Sequence, residues 1–161
     1  MSKIFNHISK KFLLLILLLS ILLLNYLLIS GDEKIIKNEE KVFVTKIIDG
    51  DTIITNGEHI RLLGIDADER GYNCYNDAKK RLEELILNKE VLLEKDKSDK
   101  DQYGRLLRYI IFNEKNINLK LVEEGFAVAR FYDDRKYYED ILNAERKARE
   151  NKIGCKWENL N

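Results

Sequence analysis

The middle of the chain consists of short apolar runs separated by turn-forming residues, a pattern typical of β-strands. The dipeptides Asp49-Gly50 and Asn56-Gly57 are strong tight-turn signals between such runs. They predict three consecutive strands that form a β-meander. Two more apolar runs lie on either side of the polar loop 95–104. The five predicted strands are residues 41–48, 52–55, 59–65, 91–94 and 106–112.

Apolar residues at helical spacing predict three helices around these strands. Asn76 and Asp77 are expected to cap the first helix, while Gly125 and Gly154 are expected to end the other two. The predicted helices are residues 76–87, 118–124 and 134–151. Five short strands with helices interposed and appended favour an α+β fold. We expect a five-stranded β-barrel of the oligonucleotide/oligosaccharide-binding (OB) type.

The first 31 residues carry a membrane-targeting pattern. Residues 12–29 are almost entirely apolar, and as a helix this run would be about 27 Å long, enough to span the hydrocarbon core of a bilayer. Because Lys3, Lys10 and Lys11 precede it, the remainder of the chain is expected outside the cytoplasm. Two interpretations stay open, a cleaved signal peptide and a retained signal anchor. The length of the run favours the anchor.

Charge is unevenly distributed along the chain. The 28 basic and 28 acidic residues give a formal net charge of zero, but residues 1–31 contain three lysines and no acid. Residues 32–161 therefore carry 25 basic against 28 acidic residues, a formal net charge of −3. Such a domain lacks the basic excess of proteins that coat nucleic acids. A polyanion would have to be held by a few placed arginines and a metal ion.

Cys74 and Cys155 are the two cysteines of the chain. Both lie in the part expected to be exported, where oxidising conditions favour a disulfide between them. In the chain-entropy model, closing so long a loop would stabilise the fold by about 4 kcal/mol. The alternative, two unrelated buried thiols, stays open.

Five charged residues stand in otherwise apolar, strand-like stretches. Isolated charges in such runs must either reach solvent or gather in a shared polar site. Clustered carboxylates suit a hard cation, and guanidiniums match the oxygens of a phosphate group. Together they suggest metal-assisted chemistry on a phosphodiester. The five residues are Asp51, Arg61, Asp66, Glu69 and Arg105.

The motifs around these residues resemble those of the staphylococcal-nuclease (thermonuclease) family. The resemblance covers about residues 41–157 and follows the family's order. It implies a five-stranded barrel with three helices and Ca²⁺-dependent hydrolysis of DNA and RNA to 3′-phosphate and 5′-hydroxyl ends. The matching stretches are IDGDT at 48–52, RLLGID at 61–66 with Glu69, DQYGR at 101–105, NLKLVEEGFA at 118–127 and the terminal AERKAREN helix.

The resemblance also implies roles for individual residues. It assigns Asp51, Asp66 and the backbone carbonyl of Ala67 to the Ca²⁺ ion, Arg61 and Arg105 to the phosphate, and Glu69 to the attacking water. The tyrosines at 103 and 132 match family positions that line the nucleotide site, where Arg130 replaces a further tyrosine and could contact a phosphate. The expected organisation is a signal peptide or anchor at 1–31, a linker at 32–40, a nuclease-like domain at 41–157 and a tail at 158–161. We expect a monomer with no obligate protein partner.

Some residues depart from the family pattern. The usual Thr-Pro-Glu is Ala67-Asp68-Glu69 here, which removes a hydroxyl and a rigid ring and could loosen the loop that presents Glu69. Gln102 replaces a common lysine. The loss of Thr-Pro and the net negative charge of residues 32–161 keep a second hypothesis open, a non-catalytic OB-type module that binds nucleic acid or another polyanion. The enzyme is favoured because all five charged positions are present.

Overall fold

The computed structural model describes residues 12–27 and 39–158, which fall into two compact units divided between residues 38 and 39. In the first unit, residues 12–27 form helix α1. Within the described residues, no helix combines the length and the apolar character needed to cross a membrane. The rest of the predicted targeting segment, residues 32–38 of the predicted linker and the last three residues lie outside the described part.

The second unit is built from short strands and three helices. Its strands are β1 (Glu39–Ile47), β2 (Thr52–Thr55), β3 (Glu58–Leu62), β4 (Ile65–Ala67), β5 (Glu90–Glu94), β6 (Leu106–Phe112), β7 (Lys115–Asn116) and β8 (Ala127–Ala129). Its helices are α2 (Tyr75–Ile86), α3 (Ile117–Glu123) and α4 (Tyr138–Glu150). The first strand begins two residues before the predicted start at Lys41.

Five of the strands form a closed barrel, which confirms the predicted fold class. The main sheet has the order β3-β2-β1-β5-β6-β7. It closes because β3 also pairs in parallel with β6, with Ile60 opposite Leu106 and Leu62 opposite Arg108. The barrel interior and the helix faces against it form one apolar cluster. Its largest fully buried side chains include Ile53, Ile60, Leu62, Leu82, Leu93, Ile110, Leu121 and Ile141.

A buried asparagine fastens helix α3 to the barrel. Asn118 is fully buried, and its side-chain oxygen accepts a hydrogen bond from the Ile110 N–H at 3.0 Å. Its Nδ2 donates to the Leu63 carbonyl at 2.9 Å. The amide thus satisfies backbone groups of β6 and of the turn after β3, and a buried polar group without such partners would be destabilising.

The predicted strand 59–65 was wrong at its end, because the chain turns at Leu63-Gly64. Gly64 has a φ of 76°, and a Cβ there would lie 2.8 Å from the Phe131 ring. After this turn, β4 lies outside the barrel sheet and pairs with β8 instead. This short two-stranded sheet carries Asp66 to the mouth of the barrel. The strand β8 was not predicted, since its three residues are too few to show a period.

Two helix starts also differ from the prediction. Helix α2 begins at Tyr75 after Cys74, without a side-chain cap from Asn76 or Asp77. Helix α4 begins at Tyr138 rather than at 134. The buried Asp134 instead accepts a hydrogen bond from the Ser98 N–H at 2.8 Å, so it fixes the loop before β6 and does not cap the helix.

Candidate active site

Asp51 follows the tight turn between β1 and β2 and is 6% exposed. Its Oδ2 accepts a hydrogen bond from the Ala67 N–H at 2.7 Å and pairs with Arg61 Nη1 at 2.9 Å. The Thr52 hydroxyl donates to its Oδ1 at 3.1 Å. Burial nevertheless raises the pKa of Asp51 to about 6, against the opposing effects of Arg61 and the Ala67 N–H. One guanidinium therefore does not offset the cost of burying this carboxylate.

Arg61 joins the two carboxylates assigned to a metal. It lies on β3 opposite Thr52 of β2, so its position is set by strand register. While Nη1 pairs with Asp51, Nη2 pairs with Asp66 Oδ1 at 2.8 Å. The Arg61 side chain is only 14% exposed. The ion pairs of this side chain thus bring the turn before β2 and the short strand β4 to one place.

A second arginine reaches Asp66 from the other side. Arg130, which follows β8, donates from Nη1 to Asp66 Oδ2 at 2.9 Å. Its Nε donates to the Tyr132 hydroxyl at 3.1 Å. The hydrogen bond to Asp66 is the main reason that the pKa of Arg130 is raised. The β4–β8 pairing positions this contact, because it places Asp66 beside Val128.

Arg105 is held by its own loop. Asp101 Oδ2 accepts from Arg105 Nε at 2.7 Å, and Asp101 Oδ1 accepts from the backbone N–H groups of Tyr103 and Arg105 at 2.9 and 3.0 Å. Gly104 completes the turn with a φ of 81°. The guanidinium lies 5.5 Å from the centre of the Tyr103 ring, and its Nη1 is 3.5 Å from the Thr52 hydroxyl. The turn thus points Arg105 towards Asp51 and its neighbours.

Most of the predicted residues line one cavity of about 540 Å³. Glu69, Tyr103 and Tyr132 lie on its exposed rim. Asp51 and Ala67 do not line it, and both are buried. Among the predicted residues, three guanidiniums and two carboxylates thus face the same space. The predicted residues that line the cavity are Arg61, Asp66, Glu69, Tyr103, Arg105, Arg130 and Tyr132.

The donor atoms around Asp51 and Asp66 fit a hard divalent cation in their chemistry. Carboxylate and carbonyl oxygens are the ligands that Ca²⁺ prefers, and the raised pKa of Asp51 marks a buried carboxylate with too little positive charge beside it. Across residues 12–27 and 39–158, no group of three or more His, Cys, Asp or Glu side chains is arranged to hold a metal ion. A cation here would depend on two carboxylates and would complete its coordination with carbonyl and water oxygens.

The loop that presents Glu69 is held in a way that the sequence did not indicate. Asp68 forms an ion pair with Lys156, and its Oδ2 accepts from the Cys74 N–H at 3.0 Å. Burial alone would raise the pKa of Asp68, but the bonds from Lys156 and Cys74 lower it below its ordinary value. The structure joins Cys74 to Cys155 by a disulfide, with 5.3 Å between their Cα atoms. These contacts fasten the loop that the loss of Thr-Pro could loosen.

Two functional contacts were missed from the sequence. Asp101 stands at the first position of a turn that ends in glycine, a position where aspartate commonly bonds the following backbone, so this signal was available. The partner of Asp68 was not foreseeable, because Lys156 lies 88 residues further along the chain.

The fold and the cavity define a class, an OB-type barrel with an arginine-lined site for an anionic ligand. The sequence model of the family described as Staphylococcal nuclease homologue matches residues 59–159. The chain is 34% identical to a thermonuclease of Staphylococcus intermedius, covering 89% of this chain and 95% of that protein. It is 35% identical to a thermonuclease of Staphylococcus hyicus, covering 76% of this chain and 78% of that protein.

A similar relationship extends to another genus. The chain is 37% identical to endonuclease YncB of Bacillus subtilis, covering 73% of this chain and 63% of that protein. The chain belongs to the staphylococcal nuclease homologue family, as its motifs predicted. These three relatives are nucleases by name, which supports a nuclease-like hydrolase.

Proposed function

We propose that this protein is an exported, Ca²⁺-dependent nuclease that hydrolyses phosphodiester bonds of DNA and RNA and leaves 3′-phosphate and 5′-hydroxyl ends. The observation that carries the proposal is the convergence of Arg61, Arg105 and Glu69 on one cavity beside Asp66. Family membership supports it independently. In this arrangement the arginines can bind the phosphate oxygens while Glu69 acts on the attacking water.

The two arginines are the phosphate-binding groups. The Arg61 and Arg105 guanidiniums already hold carboxylates with N–O distances of 2.7 to 2.9 Å, and the two non-bridging oxygens of a phosphodiester accept the same kind of charge-assisted hydrogen bond. Both come from defined backbone, a barrel strand and an Asp101-bonded turn. Donors that are fixed before the reaction stabilise the charge that grows on phosphate oxygens in the transition state.

Glu69 is the residue that orients and deprotonates the attacking water. Its side chain is exposed on the cavity rim and, within the described residues, it forms no ion pair. An ionised carboxylate only accepts hydrogen bonds, so Glu69 can hold a water and take its proton. The water oxygen bonds to phosphorus as the bond to the 5′-oxygen breaks. The leaving oxygen takes a proton from solvent water, and the exposed Glu69 returns to solvent the proton that it took. This yields the 3′-phosphate and the 5′-hydroxyl.

The proposed Ca²⁺ ion would be held by Asp51, Asp66 and the carbonyl of Ala67. When bound, it supplies positive charge that polarises the phosphate and offsets its repulsion of the nucleophile. Arg61 contributes positive charge to the same two carboxylates through its ion pairs with Asp51 and Asp66. The Ala67 N–H orients Asp51 through its hydrogen bond.

The exposed rim supplies contacts to the nucleotides. Tyr103 and Tyr132 are 75% and 71% exposed, and each lies near a guanidinium, Arg105 or Arg130. Bases stack on such rings regardless of their identity, because every base has an aromatic face. This supports action on both DNA and RNA. The disulfide and the apolar amino-terminal run support export, since disulfides persist in oxidising compartments.

One observation favours a second candidate, a non-catalytic module that binds polyanions. Arg61 occupies both Asp51 and Asp66, and the described residues contain no preformed group of three metal-binding side chains. If Arg61 kept these carboxylates from a cation, the cavity would bind phosphates without cleaving them. Such binding would weaken steeply with salt.

A cleavage assay separates the two candidates. The full chain, purified in detergent with its disulfide intact, is incubated with single-stranded DNA in Ca²⁺ or in chelator, beside Glu69→Gln. We expect cleavage in Ca²⁺ alone and its loss in the variant. Glu150→Gln is the matched control, because Glu150 is exposed at the end of α4 and does not line the cavity. Binding without cleavage by the parent chain would favour the second candidate.

A further inference from the structure

The segment between β4 and α2, residues 68–74, is here called the Glu69 loop. It is fastened at both ends to one stretch near the carboxyl terminus. At its start, Asp68 pairs with Lys156, and both side chains are 18% exposed. At its end, the buried Cys74 is joined to Cys155. Consecutive residues 155 and 156 therefore hold the two ends of the loop.

Asp68 also closes the loop on itself. While one carboxylate oxygen pairs with Lys156, the other accepts the Cys74 N–H at 3.0 Å. Inside the segment, the Tyr72 N–H donates to the Glu69 carbonyl at 3.1 Å, and the Tyr72 carbonyl accepts from the Tyr75 N–H at 3.3 Å. The side chains of residues 69–73 are exposed. A Cβ on Gly71 would meet nothing within 4 Å. The interior of the loop is thus free of packing, and its ends carry the constraint.

The carboxyl-terminal stretch is itself rigidly supported. A Cβ on Gly125 would lie 1.8 Å from the Ile153 carbonyl oxygen, and one on Gly154 would lie 2.2 Å from the Glu124 carbonyl oxygen. Such distances show backbone packed directly on backbone, which only glycine permits. The Lys156 N–H donates to the Gly125 carbonyl at 3.1 Å. Lys156 and Cys155 are therefore anchored to the end of α3 before they reach the loop.

We propose that Lys156 and the Cys74–Cys155 disulfide are positioning elements that fix the place of Glu69 over the cavity. This rests on the proposed function, because it gives Glu69 the water-handling role. Lys156 and Cys155 do not line the cavity, so they act only through the loop. In this chain they take the place of the rigidity that a proline at Asp68 would supply.

Loss of either link has a defined kinetic consequence. Arg61 and Arg105 stand on β3 and on the Asp101-bonded turn, outside the Glu69 loop, so substrate phosphate binding stays intact. A less fixed Glu69 spends less time in the geometry that orients water. Small misplacements of a catalytic group lower turnover by roughly 10- to 100-fold. We expect kcat to fall by that factor while KM stays within about twofold.

The test compares the oxidised full chain with Lys156→Met, Lys156→Arg and the double variant Cys74→Ser/Cys155→Ser. Lys41→Met is the matched control, since it also removes a lysine from an ion pair, here an exposed pair with Glu90 that lies outside the Glu69 loop. Three readouts are taken: kcat and KM on single-stranded DNA, the free energy of unfolding, and amide hydrogen exchange at positions 72 and 74, whose N–H groups form the bonds inside the loop.

We expect Lys156→Met and the double serine variant to lose kcat and to exchange these two amides about tenfold faster. Lys156→Arg should keep both properties, because it restores the cation. Exchange and kcat equal to those of Lys41→Met would overturn the proposal, and so would a loss of kcat in proportion to a loss of global stability. If the parent chain cleaves nothing, the proposed function fails, and exchange at the two amides alone decides whether the links hold the loop.

Discussion

The two sides of the cavity differ in how their charges are held. On the barrel side, Asp51 and Arg61 stand beside or on strands, are almost buried and are paired with each other. On the rim, Glu69, Tyr103 and Tyr132 lie on loops and are exposed. The stability of the fold depends on the pairing of the barrel-side charges, because a buried charge without its partner destabilises the folded state. The exposed rim side chains are therefore expected to contribute little to stability, whatever their part in the proposed reaction.

The largest effect is expected when the barrel side loses its cation. Arg61→Met leaves Asp51 buried without its ion-pair partner and removes a phosphate ligand. We expect turnover to fall about 1000-fold and the free energy of unfolding to fall by about 3 kcal/mol. Single-stranded DNA hydrolysis and denaturant unfolding measure the two losses. Arg146→Met, an exposed substitution on α4, is the control. An unchanged free energy of unfolding would mean that the pair with Asp51 is not part of the fold's stability.

The rim should respond differently to the removal of its charge. Glu69→Gln keeps the size of the side chain but cannot take a proton from water. We expect turnover to fall on the order of 1000-fold, while the free energy of unfolding changes by less than about 0.5 kcal/mol. The same two assays apply. A loss of stability as large as that of Arg61→Met would show that charges on the rim and on the barrel side of the cavity contribute equally to the fold.

A pH experiment sharpens the account of the barrel side. Burial raises the pKa of Asp51 to about 6 in the folded chain, above its ordinary value of 3.8. Because the folded chain binds this proton more tightly than the unfolded chain does, the folded state loses stability as the pH rises from 3.8 to about 6. In chelator, the parent chain should therefore lose up to about 3 kcal/mol relative to Asp51→Asn between pH 4 and pH 7. Denaturant unfolding of both at several pH values measures this. A constant difference across that range would contradict the burial argument.

The smallest effect is expected from a nucleotide contact on the rim. Tyr132→Ala removes an exposed ring from the cavity mouth, so it should raise KM about tenfold and leave kcat unchanged. The free energy of unfolding should not change. Phe43→Ala, which removes an exposed aromatic ring from β1 outside the cavity, is the control. A fall in kcat with no change in KM would place Tyr132 in the chemistry instead of in binding.

The barrel side of the molecule is the part that the sequence predicted best. Tight turns at Asp49-Gly50 and Asn56-Gly57 and the apolar runs beside them indicated the strands, and the closed five-stranded barrel is confirmed. These signals are local, since each strand shows its own pattern of apolar residues. The register that sets Arg61 opposite Thr52 follows from those turns.

The rim depends on contacts that sequence patterns do not encode. The β4–β8 pairing uses two strands of three residues each, too short to show an alternation. Asp68 meets Lys156 and Asp66 meets Arg130 across long stretches of chain, and only the assembled fold brings them together. The break at Gly64 was missed although a glycine inside a strand run signals an irregularity; its packing against the ring of Phe131, by contrast, is a contact that only the fold shows.

The products of cleavage test the central claim most directly. A single-stranded oligonucleotide is incubated with the full, oxidised chain and Ca²⁺, and the ends of the fragments are identified by mass. The arrangement of Arg61, Arg105 and Glu69 around one phosphate predicts fragments with 3′-phosphate and 5′-hydroxyl ends, and none in chelator or with Glu69→Gln. An intact oligonucleotide under all conditions, or fragments with 5′-phosphate ends, would contradict it.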